Sequence, residues 1–231
     1  MKHPLTIRVA AVVLMTVGMG TLSFGQTASK HSFASTSWLL TYKGTSSSSG
    51  NGSDIRTEAR FHHLLVQSFR QRADFLEGHP PLWQIIEDYL GVGTGNITIK
   101  DDRYAMIDGC VRHVCPDRQE FLWVDTDPKN HTVFFAALDA IQSEGISKES
   151  PSLFHLWIFG NHNLRQDGVN NESLPDQFLY PLQDWIDSFG SRHVVSAIFV
   201  GPGGKMTPLL TNSLHLPGFQ AAPDATSKEQ Q

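Results

Sequence analysis

The chain has 231 residues, of which 40% are hydrophobic and 18% charged, and its formal net charge at pH 7 is −5. This length suits one globular domain with appendages, and the excess of acids argues against nucleic acid or an anionic membrane as a partner. A basic partner would be compatible with the charge, although an acidic surface also serves solubility.

The first 25 residues have the pattern of a secretory signal peptide. Lys2 and Arg8 supply the positive start, and Val9 to Leu22 is an apolar run broken only by Thr and Gly. Small residues at Ser23 and Gly25 complete the cleavage pattern. The run is short for a membrane span, and no other stretch approaches the roughly 20 apolar residues that a span needs. We therefore expect a periplasmic or secreted protein with no membrane span in the mature chain; a retained N-terminal anchor is the alternative.

Residues 26–54 are predicted to form a flexible Gly/Ser-rich tether between the signal peptide and the domain. Thr45 to Ser53 is a low-complexity segment that cannot bury a core. An open alternative concerns Ser32 to Lys43, where Trp38 and Leu39 are compatible with a short docked strand. Cleavage near Gln26 would leave 16 Lys and Arg against 23 Asp and Glu, a net charge of −7.

Two segments of the chain predict helices. In residues 55–77 apolar side chains recur near a 3.6-residue period, with Gly78 as a stop signal. A second, short helix is expected to begin at Pro181 and end at Gly190. Between Gly78 and Trp83 the sequence predicts a turn, and a short apolar run follows from Gln84 to Leu90.

The remaining pattern is strand after strand at short spacing, which favours antiparallel neighbours. The fold class predicted is α+β, with a single antiparallel sheet of about five or six strands and helices packed on it. This domain spans residues 55–204, and residues 205–231 form a polar tail predicted to be disordered. The predicted strands are residues 96–100, 103–109, 119–125, 131–138, 153–159 and 193–200.

The two cysteines of the chain, Cys110 and Cys115, lie between two of these predicted strands. In an oxidising compartment such a pair favours a disulfide over a metal pair or a catalytic thiol. So short a ring stabilises by only about 2 kcal/mol, so its role would be local. Two interpretations stay open: a structural staple across a hairpin, or a rigid loop that holds Arg112 and His113 outward for a partner's pocket.

Other groups of residues that could form a catalytic or metal site have weaker support in the sequence. Cys110 with His113 could form a thiol–imidazole pair, but the adjacent second cysteine favours the disulfide. The histidines show no thiol or acidic companion at ligand spacing, so no metal site is predicted. No acid pair marks a glycosidase, since separation in space defines one. We therefore expect no catalytic residues, no metal and no cofactor. The histidines considered are His62, His63, His155 and His162.

The run from Asp102 to Val124 resembles the Ivy family, the exported bacterial inhibitors of vertebrate (C-type) lysozyme. That family has a strand, a Cys-x-x-His-x-Cys loop and a second strand ending near a Trp, and Gly78 to Trp83 resembles its Gly-His…Pro-x-Trp segment. The resemblance covers about residues 60–138. Cys110, His113 and Cys115 match the typical Cys-Lys-Pro-His-Asp/Glu-Cys loop. The differing positions are Val111 for Lys, Arg112 for Pro and Val114 for the acid.

The resemblance implies an inhibitor rather than an enzyme, with a C-type lysozyme or a related muramidase as its partner. The implied target-binding loop is Cys110, Val111, Arg112, His113, Val114 and Cys115. The histidine would contact two catalytic carboxyl groups, which lie about 5 Å apart in a retaining glycosidase, and Arg112 would add a permanent cation. Members of the family form homodimers, so a homodimer is a possible assembly.

Two alternatives to inhibition remain. The changed positions 111, 112 and 114 favour a non-inhibitory cell-envelope binding or structural module with the same fold. A thiol-dependent envelope enzyme is the third interpretation, and it requires free thiols.

Overall fold

The structure is a computed structural model that describes residues 35–43, 55, 57–74, 76–90, 97–110, 113, 115, 117–141, 153–166, 172–190, 193–210 and 214. The predicted signal peptide, most of the predicted tether and most of the predicted tail lie outside these residues. Within the described ranges, no helix combines the length and apolarity that crossing a membrane requires.

Three α-helices and one 3₁₀ helix are present in the described chain. The 3₁₀ helix is Ser37–Tyr42, and the α-helices are α1 (Ala59–Ser68), α2 (Leu82–Leu90) and α3 (Asp176–Asp187). The short apolar run predicted before residue 90 is thus the larger part of a helix, α2.

The first predicted helix, residues 55–77, is too long. α1 ends at Ser68, and the chain then folds back on itself: the Ala73 N–H donates to the Pro80 carbonyl at 3.0 Å, and the Leu82 N–H donates to the Gln71 carbonyl at 2.9 Å. Apolar side chains after residue 68 therefore reach the core from a non-helical turn. The same residues would be buried if the helix continued past residue 68, so the sequence pattern does not distinguish the turn from a helix.

The predicted start of α3 at Pro181 is also wrong. α3 begins at Asp176 after an extended Pro175, and Pro181 lies inside it. A proline within a helix lacks the N–H that would bond to the carbonyl four residues earlier, here that of Gln177. Asp176 in the first turn complements the positive end of the helix dipole.

The main sheet has seven strands in the order β1-β2-β3-β4-β5-β8-β9, and β6 and β7 form a separate two-stranded ribbon. All neighbours in the main sheet are antiparallel except β5 and β8, which are parallel. The strands are β1 (Ile97–Lys100), β2 (Tyr104–Cys110), β3 (Arg118–Asp125), β4 (Val133–Ala140), β5 (Leu153–Gly160), β6 (Arg165–Gln166), β7 (Glu172–Ser173), β8 (His193–Val200) and β9 (Met206–Leu209).

The α+β class is confirmed, and the prediction of a purely antiparallel sheet of five or six strands is wrong. The parallel pair arises because α3 lies between β5 and β8 in the chain, and a crossover through a helix brings the next strand back in the same direction. The seventh strand is β9, within the segment assigned to a disordered tail. It pairs with β8 at the sheet edge, where Pro208 is tolerated because one side of an edge strand needs no donor.

Helices cover both faces of the sheet. The first face packs against the 3₁₀ helix, α1 and α2, which contribute Leu39, Phe61 and Ile86 to its core. The second face packs against α3 through Phe178 and Leu182. β3 and β4 are therefore buried on both sides, which explains the continuous apolar runs at 121–124 in β3 and 133–138 in β4.

Both segments predicted to be flexible contribute to the core. Residues 37–42 lie in the predicted tether, yet Leu39 is fully buried and Trp38 nearly so. The strand considered there is a 3₁₀ helix instead. In the predicted tail, β9 pairs in the sheet and Leu214 is buried against the second face.

Candidate functional site

The turn between β2 and β3 contains the two cysteines. Cys110 ends β2, opposite Gln119 of β3, and Cys115 lies in the turn. The two form a disulfide, with their Cα atoms 4.9 Å apart. The Gln119 side-chain amide donates to the Cys115 carbonyl and braces the turn. Since the sequence has only these two cysteines, neither offers the free thiol that a thiol-dependent enzyme needs.

Of the three residues that the structure describes from Cys110 to Cys115, His113 is the exposed one. Its side chain faces solvent, and its φ of 69° lies in the left-handed region that residues other than glycine rarely adopt. Such a conformation at a non-glycine residue is frequent at functional sites. Val111, Arg112 and Val114 of the predicted target-binding loop lie outside the described residues.

A polar row crosses four strands on the first face, next to the base of this hairpin. It consists of Arg118, Asp139, His155 and Ser196, on β3, β4, β5 and β8. Arg118 Nε lies 3.4 Å from Asp139 Oδ1, and His155 Nδ1 lies 2.5 Å from Ser196 Oγ. Burial raises the pKa of Asp139, against the opposing pull of Arg118 and the His155 imidazole.

The row has the residue types of a serine–histidine–acid triad, and its geometry is that of a structural polar ladder. Asp139 is engaged by Arg118, and Ser196 lies within β8, where pairing with β5 occupies the backbone. Acyl transfer needs free donors for an oxyanion beside the nucleophile. Sequence reasoning missed this row because its members come from four strands and share only their positions in the register.

Glu120 lies beside the row and is buried, with 2% of its surface exposed. Its Oε2 has no hydrogen-bond partner among the described residues. Burial raises the pKa of Glu120 to about 8, although Arg118 pulls it down. The base of the hairpin thus holds a carboxyl group that is protonated at neutral pH.

A cleft of about 420 Å³ lies on the second face, at the end of the sheet opposite the β2–β3 hairpin. The start of β2, the end of β3, the start of β4, the segment after β5 and the beginning of α3 meet there. The lining residues are Arg103, Tyr104, Trp123, Asp125, Asn130, Thr132, Phe134, His162, Asn163, Leu164, Pro175 and Gln177.

One wall of the cleft is a hydrogen-bonded hub around Asp125. Arg103 donates to both carboxyl oxygens at 2.7 Å, and Asn130 Nδ2 donates to Oδ2 at 2.7 Å. The Asp127 N–H adds a third donor at 3.0 Å. Burial pushes the pKa of Asp125 up, but these hydrogen bonds outweigh it and hold the pKa below its usual value. The hub is therefore a fixed ion pair rather than a group poised to exchange protons.

Trp123 forms the floor of the cleft. It is 2% exposed and stacks on Tyr104 with ring centroids 5.2 Å apart. Its Nε1–H has no hydrogen-bond partner among the described residues. Tryptophan N–H groups usually find an acceptor when buried. Trp123 belongs to the core of the second face, and the sequence alone carries no sign of its unpaired donor.

The predicted candidate residues are distributed over the molecule. Cys110, Cys115 and His113 lie together at the hairpin, whereas His162 lines the cleft. The hairpin and the cleft lie at opposite ends of β2, about 20 Å apart at some 3.4 Å per residue. In the part of the chain that the structure describes, no three His, Cys, Asp or Glu side chains are grouped to hold a metal ion.

Comparisons of this chain with protein-family models, with curated proteins and with solved structures find no match. The resemblance of the hairpin sequence to a lysozyme inhibitor therefore rests on its own residues.

Proposed function

We propose that the chain is an exported inhibitor of a C-type lysozyme or related muramidase, which inserts the Cys110–Cys115 loop into the active-site cleft. The observation that carries this proposal is the disulfide-closed turn with an exposed His113 at positive φ. A loop of fixed shape loses little conformational entropy on docking, so more of its contact energy appears as affinity.

The imidazole of His113 suits a pair of acids. A protonated imidazole donates from both ring nitrogens, and two carboxyl groups about 5 Å apart can each accept one of these bonds. Charge-assisted hydrogen bonds of this kind are the stronger ones. Arg112 would add a second cation at the same negative cleft.

The test is a turbidity assay of lysozyme on bacterial cell walls, with and without the chain from Gln26. His113→Ala should weaken inhibition by on the order of 2–4 kcal/mol if the histidine is a central contact. His63→Ala is the matched control, because His63 is also exposed but lies on α1. An H113A variant that inhibits as well as the parent would refute the role of the histidine.

A cell-envelope binding module with the same fold is the second candidate. The three changed loop positions, 111, 112 and 114, favour it. The H113A comparison in the same assay separates the two candidates, because any slowing by a module that coats the cell wall would not depend on His113.

A further inference from the structure

We propose that the Cys110–Cys115 disulfide is a reversible redox switch, which a dithiol reductant opens at Cys115 to release the shape of the loop while the sheet stays folded. The switch acts on the loop itself, whatever the loop binds. Its effect on a lysozyme rests on the proposed function.

The strands on either side of the loop are held together without the disulfide. Seven residue pairs join β2 to β3, and seven more join β3 to β4. The disulfide only connects the last residue of β2 to the turn that follows it. A ring of this size contributes about 2 kcal/mol, a small part of the roughly 5–15 kcal/mol that stabilises a typical domain. The reduced chain should therefore remain folded.

The ring holds His113 in a backbone conformation that it would not keep alone. His113 lies inside the ring with a φ of 69°, and the left-handed region costs a residue with a Cβ roughly 1–2 kcal/mol. Such a conformation persists where its surroundings enforce it. When the ring opens, the backbone at His113 can return to the extended or right-handed regions. The exposed imidazole then loses its fixed position.

The two sulfur atoms differ in their access to a reductant. Cys110 ends a strand and is only 6% exposed, whereas Cys115 lies in the turn and is half-buried. The rate of thiol–disulfide exchange depends on which sulfur a thiolate can reach. The reductant therefore attacks Cys115 Sγ, and the Cys110 sulfur is the leaving group.

The exchange proceeds in two steps. The thiolate of the reductant forms a bond to Cys115 Sγ while the disulfide breaks, and the electron pair leaves on the Cys110 sulfur, which takes up a proton. The second thiol of the reductant, deprotonated, attacks its own sulfur in the mixed disulfide and releases Cys115, which is protonated in turn. The chain gains two electrons and two protons, and the dithiol becomes a disulfide.

The composition of the chain makes the switch reversible. The sequence has only two cysteines, so one intramolecular pairing is possible. The folded hairpin keeps Cys110 at the end of β2, five positions from its partner. Oxidation should therefore close the same ring again.

The test is reduction of the chain from Gln26 with dithiothreitol in the absence of denaturant. We expect both cysteines to titrate as thiols, the far-UV circular dichroism to stay unchanged, and the side-chain NMR signal of His113 to move and to return on reoxidation. Loss of one histidine signal in His113→Ala assigns it. The chain with both Cys110→Ala and Cys115→Ala is the control, because dithiothreitol has no target there and should move no signal.

Three results would overturn the switch. They are thiols that appear only after urea unfolds the chain, loss of the circular dichroism on reduction, and a His113 signal that stays in place when the ring opens.

Single variants test which sulfur is attacked. Cys115 in the C110A variant should react with glutathione disulfide about tenfold faster than Cys110 in the C115A variant, because a buried thiol is less accessible and forms its thiolate less readily. Mass spectrometry of the mixed disulfides measures both rates. Equal rates, or a faster Cys110, would refute attack at Cys115.

The switch and the inhibitor function can fail separately. In the turbidity assay, the reduced chain, freed of dithiothreitol under nitrogen, should inhibit lysozyme far less than the oxidised chain. If the oxidised chain does not inhibit, the proposed function fails, and the thiol and NMR results still decide the switch. If both forms inhibit equally, the proposed function stands and the switch is refuted.

Discussion

At the scale of single residues, β3 carries two buried carboxyl groups whose pKa values are shifted in opposite directions. Glu120 and Asp125 are 2% and 1% exposed, yet the pKa of Glu120 is raised to about 8 while that of Asp125 is lowered. The difference lies in their partners. Asp125 accepts hydrogen bonds from Arg103, Asn130 and a backbone N–H, whereas Glu120 Oε2 has no partner in the described structure. Burial favours the neutral acid unless donors stabilise the charge.

Glu120 should make the stability of the fold depend on pH. Its pKa is raised in the folded state, so the folded chain keeps a proton that the unfolded chain releases above its usual pKa. The stability that neutral Glu120 contributes is therefore complete below about pH 4.5 and is lost as pH rises through the folded value of about 8. Urea unfolding at pH 5 and pH 8 should show a decrease in the free energy of unfolding of roughly 3 kcal/mol from this group.

Glu120→Gln should remove most of that decrease, because the amide does not titrate. Glu77→Gln is the control for a lost acid, since Glu77 is exposed. If E120Q keeps the full pH dependence of the parent, the assignment to Glu120 is wrong.

At the scale of elements, the β2–β3 hairpin combines a sheet-wide register with a small covalent ring. Seven residue pairs hold β2 against β3, from Tyr104 with Asp125 to Cys110 with Gln119. The disulfide closes only the end of this ladder. The sheet therefore supplies the stability of the hairpin, and the ring shapes its turn.

Replacing both Cys110 and Cys115 with alanine should separate these two contributions. Closing a ring of this size accounts for about 2 kcal/mol, so the variant should stay folded with a modest loss measured by urea unfolding. Under the proposed function, inhibition of lysozyme should fall much more steeply than stability. A variant that is well folded and inhibits fully would show that the ring is only a staple.

Gly160 allows the close approach of β4, β5 and β8 on the second face. A Cβ there would lie 2.9 Å from the Phe199 ring and 3.0 Å from the Phe134 ring. Gly160→Ala should therefore destabilise the fold by about 1–3 kcal/mol through overpacking. Gly203→Ala is the matched control, because its Cβ would meet nothing within 4 Å. Thermal melts of both variants should show a lower melting temperature for G160A alone.

At the scale of the whole molecule, a central sheet is buried between two helical layers. The first layer is completed by the 3₁₀ helix, which lies in a stretch whose composition predicts a tether. Leu39 has no exposed surface, and Trp38 also receives the Arg60 guanidinium 4.7 Å from its ring centroid. Residues distant in sequence from the main domain thus belong to its core.

Leu39→Ala should test this packing. Removing a fully buried leucine typically costs about 2–5 kcal/mol, whereas a residue in a flexible tether could be replaced at no cost. Ser37→Ala in the same 3₁₀ helix is the control, because Ser37 is exposed. Equal unfolding midpoints for L39A and the parent in urea would contradict docking of this segment.

The sequence by itself determined the α+β class and six of the main strands to within about two residues, and it favoured the pairing of Cys110 with Cys115 in a turn. The exposure of His113 was one of two open interpretations that the structure decided. Alternating and apolar runs are local properties, and so is a five-residue spacing between cysteines. Only the tertiary structure decided the parallel β5–β8 pair, the edge strand β9 and the docking of Leu39. It also decided the polar row from Arg118 to Ser196 and the cleft over Trp123. Those features join residues that are far apart in the chain, and whether a polar group finds a partner depends on packing in three dimensions.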